Sequence, residues 1–352
     1  MLHSRLRPAP RRNPSTTTTA PAAPALGFHD ADESAYVEEF PEDVFGAFLP
    51  HLFPDDAPSF HGDPGQCLLY SSPRYGELEI MIPSYPGQTG KQSEEVAIGL
   101  GKEEGGTEAK EERQLFAHFL WSAGMVIAEG VENADCQATE NDSVSQKEAR
   151  EIWSVSGETV MELGAGAALP SLICALANAS LVVITDHPSS PALTGAIEFN
   201  LKQNLRKPQT SQMTTVSIQP HEWGTLTDSF SQSYRGTFTR VIAADCYWMP
   251  SQHENLAQTM QWFLAPGGRV WCVAAFHTGR AIVAGFFEIA LENGLEIERI
   301  FERDIVSSDE EGREIRREWV PWREDENPET MQRWCVVAVL KRREDTGDEI
   351  GR

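Results

Sequence analysis

Apolar residues in the second half of the chain come in short runs, and most runs are followed by a stretch with helical spacing. Segments 159–163, 181–185, 214–218, 238–244, 269–276, 295–303 and 334–341 read as strands. Segments 169–178, 190–205, 251–264 and 279–293 read as helices. Within 190–205, Leu193, Ile197, Leu201 and Leu205 fall at a four-residue step and form one apolar stripe. Ala-Pro-Gly-Gly at 265–268 stops the helix before it. Strands alternating with helices predict a mostly parallel sheet covered by helices on both faces. Only the acidic stretch 306–333 separates the last two strands, so the final strand is expected to run antiparallel.

Upstream the pattern is weaker. Residues 1–27 hold Arg5, Arg7, Arg11 and Arg12, a Ser/Thr run and several prolines, with no acid before Asp30. They read as a disordered tail, with a mitochondrial presequence as the alternative. Residues 28–112 read as an irregular N-terminal extension. It carries short strands at Leu68–Tyr70 and Glu77–Ile82 and a polar low-complexity insert at 87–112. A helix is expected over 113–131, from Phe116, Phe119, Leu120, Val126, Ile127 and their neighbours. The main domain is expected at 113–342, interrupted by a flexible insert at 132–150 and followed by an acidic tail at 343–352.

Composition narrows the function. The chain has 352 residues, 40% of them apolar, enough to bury a sizeable core. A net charge of −24 argues against sequence-independent nucleic-acid binding, which needs a basic surface. An acidic surface suits a basic protein partner, or serves only solubility. Six cysteines without a C-x-x-C pair read as small buried hydrophobes in a reducing compartment, and a cytoplasmic monomer is expected. No apolar run approaches the length of a membrane-spanning helix. His187, His221, His253 and His277 lie in separate segments without metal spacing, so no metal is expected and none of the four is given a catalytic role.

The chemistry concentrates in 159–189. A strand ends in Glu162, a glycine turn follows at Gly164-Ala165-Gly166, Pro170 opens a helix, and the next strand ends in Asp186. In an open α/β sheet, ligands bind beyond the carboxyl ends of the strands. Glycines let the backbone approach a ligand closely, and a strand-end acid can accept ribose hydroxyls. Leu169 stands where a dinucleotide binder has its third glycine, and no Gly-Lys-Ser/Thr is present to cradle phosphates. Two acids around a bare turn suit S-adenosyl-L-methionine, whose sulfonium and ammonium are cationic. Trp121 and Trp223 each read as core packing or as an adenine platform. The fourth strand ends at Asp245, followed by Tyr247 and Trp248. Asp245 reads as the group that orients an attacking amine or, alternatively, as a helix cap. Tyr247 and Trp248 read as an aromatic wall for a cationic amine.

Leu-Trp-Ser-Ala-Gly (120–124), Glu-Leu-Gly-Ala-Gly-x-x-Leu-Pro-Ser (162–171), Ile-Thr-Asp-His-Pro (184–188), His-Glu-Trp-Gly (221–224) and Ala-Asp-x-x-Trp (244–248) resemble the seven-β-strand lysine methyltransferases. The similarity extends to a fungal branch called nicotinamide N-methyltransferase-like, which includes an enzyme acting on the N-terminus and a lysine of translation elongation factor 1-alpha. The resemblance implies a Rossmann-like seven-stranded methyltransferase fold and an S-adenosyl-L-methionine-dependent N-methyltransferase acting on a protein amine. The alternatives are a small-molecule acceptor such as nicotinamide and a binding module that kept the fold without catalysis. It also implies that Trp121, Gly164, Ala165, Gly166, Asp186, Trp223 and Ala244 contact the cofactor. Ala168 stands where the family usually has glycine, and Trp248 where it has Tyr or Phe. The insert at 132–150 lengthens the family's usual spacing.

Overall fold

Eight strands form the central sheet of the computed structural model, which describes residues 2–10, 60–84, 119–136, 144–205, 214–311, 313–324 and 326–344. Numbered along the described chain, they are β6 (Thr159–Leu163), β7 (Leu181–Asp186), β8 (Thr215–Pro220), β9 (Phe238–Ala244), β10 (Leu264–Ala275), β11 (Leu295–Ser308), β12 (Glu314–Arg317) and β13 (Trp334–Arg342). Their order across the sheet is β12-β11-β13-β10-β9-β6-β7-β8. The pairs from β8 to β10 are parallel, and β13 runs antiparallel between β10 and β11. The fold is Rossmann-like, as expected.

One strand exceeds the expected seven. β12 lies in the acidic stretch 306–333 and pairs antiparallel with Glu302 and Arg303. Charges hold it rather than apolar side chains: Arg317 reaches Glu302 at 2.6 Å, and Arg303 and Arg316 both reach Glu314. A strand without apolar periodicity leaves no signal to count.

Side chains alternate across the sheet because the strand repeat is two residues. On one face Val160, Ile184, Trp271, Val273 and Val337 pack with Val126, Ile127, Leu172 and Ile173. These last four come from α1 (Ser122–Ala134) and α3 (Leu169–Leu176); α2 is Val144–Trp153. On the other face Met161, Val183, Cys272 and Ala338 pack with Leu256, Met260, Phe286 and Phe287. Those belong to helices His253–Phe263 and Arg280–Glu292.

Three expectations upstream are corrected. Residues 144–150 are the first part of α2, not a flexible insert, while 137–143 lie outside the described residues. The helix expected over 113–131 runs from Ser122 to Ala134, after an extended Leu120–Trp121 (β5) that pairs with Phe60–His61 (β2). Residues 113–118 lie outside the described residues. The third concerns the N-terminal tail, of which residues 2–10 are built into the fold. Leu6–Pro8 (β1) adds to Cys67–Ser72 (β3), which pairs with Gly76–Met81 (β4). Arg5 donates to Glu132 at 2.6 Å, Glu129 at 2.7 Å and Tyr70 Oη at 3.1 Å. Residues 11–59 and 85–118, including the proposed low-complexity insert, lie outside the described residues, as do 345–352.

The small sheet also touches the glycine turn. Asn200, on helix Ala196–Asn204, is buried. Its Oδ1 accepts from Met81 N at 2.6 Å, and its Nδ2 donates to Met81 O at 3.1 Å and Ala167 O at 2.9 Å. One side-chain amide thus satisfies an edge of β4 and a carbonyl of the turn.

Candidate functional site

The carboxyl ends of β6, β7 and β9 surround one cavity. Its lining includes Phe119, Trp121, Gly164, Gly166, Asp186, His221, Trp223, Ala244, Asp245, Cys246 and Trp248. The only acids or bases along it are Asp186, Asp245, Glu222, His187 and His221, among the described residues. A wall with carboxylates and no arginine or lysine favours a cationic ligand.

The floor is the turn after β6. Gly164 and Gly166 have φ of +62° and +52°. A Cβ on Gly164 would meet Cys246 Sγ at 3.1 Å and Trp223 at 3.2 Å, so only glycine leaves this cradle open. Ala168 also adopts a left-handed conformation, at φ 56° and ψ 32°, ahead of α3. The departure from glycine at this position therefore leaves the turn geometry intact and adds local backbone strain.

Asp186 is buried at the end of β7 and lines the cavity. Oδ2 accepts from Gly166 N at 2.8 Å and Oδ1 from His187 N at 2.7 Å. An ionised carboxylate is an acceptor only, which suits it to ribose hydroxyl donors.

Glu162 does not line the cavity. It is buried behind the turn, and Oε2 accepts from Ser171 N at 3.0 Å in the first turn of α3. Burial pushes its carboxyl up to about 8, and the nearby Asp186 adds to that rise. Its position points to bracing the turn rather than to touching a ligand. Ala165 is likewise not part of the lining; its N–H donates to Thr185 O at 3.0 Å, tying the turn to β7.

Asp245 follows β9 in a left-handed conformation at φ 53°. Its side chain is fully enclosed, and Oδ1 accepts from Ala275 N at 2.8 Å. Burial pushes its carboxyl up to about 7, against the pull of the Ala275 and Ala123 N–H groups. Oδ2 has no hydrogen-bond partner among the described residues. A buried carboxyl at a cavity wall, with backbone N–H groups and no cation facing it, fits an incoming amine.

Trp248 and Trp121 line the cavity as expected, and so does Trp223, packed over Gly164. Tyr247 does not. It points into the core, packs against Phe286 with ring centroids 4.3 Å apart and planes tilted at 43°, and its hydroxyl donates to Ala243 O at 2.8 Å. The residue between two cavity-facing positions need not face the cavity, and the motif's spacing gave no sign of it.

Several lining residues went unassigned in the sequence. Cys246 donates from Sγ to Leu163 O at 3.2 Å and closes the floor. His221 is buried, its N–H donates to Asp186 O at 2.8 Å, and burial lowers its pKa. Its Nε2 has no hydrogen-bond partner among the described residues. Position immediately after β8 was the available signal for His221.

A family model described as lysine methyltransferase matches residues 107–293. The chain belongs to this lysine methyltransferase family. Among curated proteins, it is similar to the protein N-terminal and lysine N-methyltransferase EFM7 of Yarrowia lipolytica, 30% identical over 224 residues, covering 57% of this chain and 74% of that protein. The Schizosaccharomyces pombe protein of the same name is 26% identical, covering 65% of this chain and 84% of its own length. Among solved structures, magnesium protoporphyrin IX methyltransferase of Synechocystis PCC 6803 matches with a TM-score of 0.40 at 13% identity, over 73% of this chain and 95% of that one. The lysine methyltransferase motifs fall where the cavity is: glycine turn, β7 acid and β9 acid meet at one end of the sheet.

Proposed function

We propose that the chain transfers a methyl group from S-adenosyl-L-methionine to an amine of a protein, a lysine or an N-terminus. The observation that carries this reading is Asp186 bonded to Gly166 N at the mouth of an open, acid-walled cradle. Gly164 and Gly166 would pass beneath the methionine portion, Asp186 would hold the ribose, and Trp223 and His221 would flank the adenine. When bound, the cofactor supplies an electrophilic methyl on a cationic sulfur. Trp121 would also contact the cofactor, Asp245 and the aromatic face of Trp248 orient the acceptor amine, and the enclosing walls exclude water.

The EFM7 relatives are named for protein N-terminal and lysine methylation. With the net charge of −24, that supports a basic protein acceptor, such as a translation elongation factor, over nicotinamide. Calorimetry with S-adenosyl-L-methionine tests cofactor binding, and radiolabelled cofactor in cell lysate compared with nicotinamide tests the acceptor. Absent binding, or label on nicotinamide alone, would overturn the reading.

A further inference from the structure

Two asparagines one turn apart on helix Ala196–Asn204 bridge to β4 in the same way, and they differ in one bond. Asn204 Oδ1 accepts from Glu79 N at 3.0 Å, and its Nδ2 donates to Glu79 O at 2.8 Å. Asn200 repeats this pattern at Met81, further along the strand. The remaining N–H of Asn204 returns to its own helix, to Asn200 O at 2.7 Å. The remaining N–H of Asn200 leaves the helix and reaches Ala167 O at 2.9 Å.

Ala167 sits inside the glycine turn, between Gly166 at φ +52° and Ala168 at φ +56°. Left-handed residues on both sides, one of them not glycine, persist only where their surroundings hold them. The N–H groups of the turn are held from β7: Asp186 accepts from Gly166 N, and Thr185 O accepts from Ala165 N. Asn200 is the side-chain donor to the carbonyl of Ala167, among the described residues. It is buried, and its amide oxygen and both N–H groups are paired. A primary amide suits this place because it supplies two donors and an acceptor. A carboxylate has no donor and would set lone pairs against Met81 O and Ala167 O.

We propose that Asn200 is a positioning residue for the cofactor: acting through Ala167 O, it ties the glycine turn to the edge of β4 and keeps the cradle in its binding shape. This deepens the proposed function and rests on its placing of S-adenosyl-L-methionine over the turn. The N-terminal sheet then takes part in cofactor binding from behind the turn. Asn204 shares the strand contact and lacks the turn contact, so losing the strand contact alone should not change cofactor affinity.

The test compares three full-length variants, Asn200→Ala, Asn200→Ser and Asn204→Ala. All three should melt below the wild type from the lost β4 contacts, so cofactor affinity is the readout that separates them. Calorimetry with S-adenosyl-L-methionine should show affinity lowered by about 10-fold or more in both Asn200 variants and unchanged in Asn204→Ala. Equal affinities in the Asn200 and Asn204 variants would overturn the proposal; Asn200→Ser decides if Asn200→Ala does not fold. In the unliganded protein, the Gly166 amide should exchange with solvent faster in Asn200→Ser than in the wild type, and at the wild-type rate in Asn204→Ala. Wild-type exchange in Asn200→Ser would also overturn it. A third readout needs no variant. Coupling between two sites is reciprocal, so bound S-adenosyl-L-methionine should slow exchange of the Asn200 side-chain amide and leave that of Asn204 unchanged. No slowing at Asn200, or equal slowing at both, would contradict the proposal. Should the wild type bind no S-adenosyl-L-methionine, the proposed function fails, and the Gly166 exchange rates still decide whether Asn200 holds the turn.

Discussion

Gly166 donates its backbone N–H to Asp186 Oδ2 at 2.8 Å, so the acid placed for a ribose also holds the turn beneath it. Asp186→Ala removes both interactions. Cofactor affinity measured by calorimetry should fall by roughly 1–3 kcal/mol, the cost of leaving polar groups unpaired. Unchanged affinity would take Asp186 out of the site.

The two glycines of the turn should respond differently to alanine. Both have positive φ, which costs an L-residue about 1–2 kcal/mol. At Gly166 the nearest atom to a new Cβ is Phe119 O at 3.8 Å, an ordinary contact. At Gly164 the new Cβ presses on Cys246 Sγ and Trp223. Urea denaturation should therefore show Gly164→Ala as the more destabilised variant, with the larger loss of cofactor affinity. Equal effects would mean that the cradle tolerates a methyl.

Tyr247→Phe separates position in the motif from position in space. The phenol donates to Ala243 O inside the core and touches no cavity wall. Stability should drop by about 1–2 kcal/mol from the unpaired carbonyl, with kcat/KM unchanged. A large loss of kcat/KM would restore Tyr247 to the site.

How much of this was visible in the sequence depends on the type of signal. Strands 159–163 and 238–244 were legible to the residue, because apolar runs bounded by turn residues mark buried parallel strands. Gly164, Asp186 and Asp245 were legible because strand ends point to the ligand side of such a sheet. β12 was not, since Arg–Glu pairs rather than apolar periodicity hold it. Nor was the anchoring of residues 2–10, where Arg5 meets Glu129 and Glu132 from more than 120 positions away. Nor were the left-handed backbone at Asp245 and the inward turn of Tyr247, which no spacing rule reveals.

Asp245 should make stability depend on pH in the unliganded protein. Its folded pKa is raised from 3.8 to about 7 by burial. Its contribution is therefore fully present below the unfolded value and is lost as pH rises through about 7. Asn at this position stays neutral. Between pH 4 and 8, Asp245→Asn should gain on the wild type by up to about 4 kcal/mol, the shift converted at about 1.4 kcal/mol per unit. Denaturation midpoints at the two ends of that range check it, and parallel pH curves would contradict it.

The most direct measurement of the central claim is the fate of a labelled methyl group. Full-length protein is incubated with methyl-labelled S-adenosyl-L-methionine and a lysate, and the labelled products are identified by mass spectrometry. Label on a lysine or N-terminal amine of a basic protein, lost in Asp186→Ala, is the expected result. Label confined to small molecules, or transfer that persists undiminished in Asp186→Ala, would contradict the account.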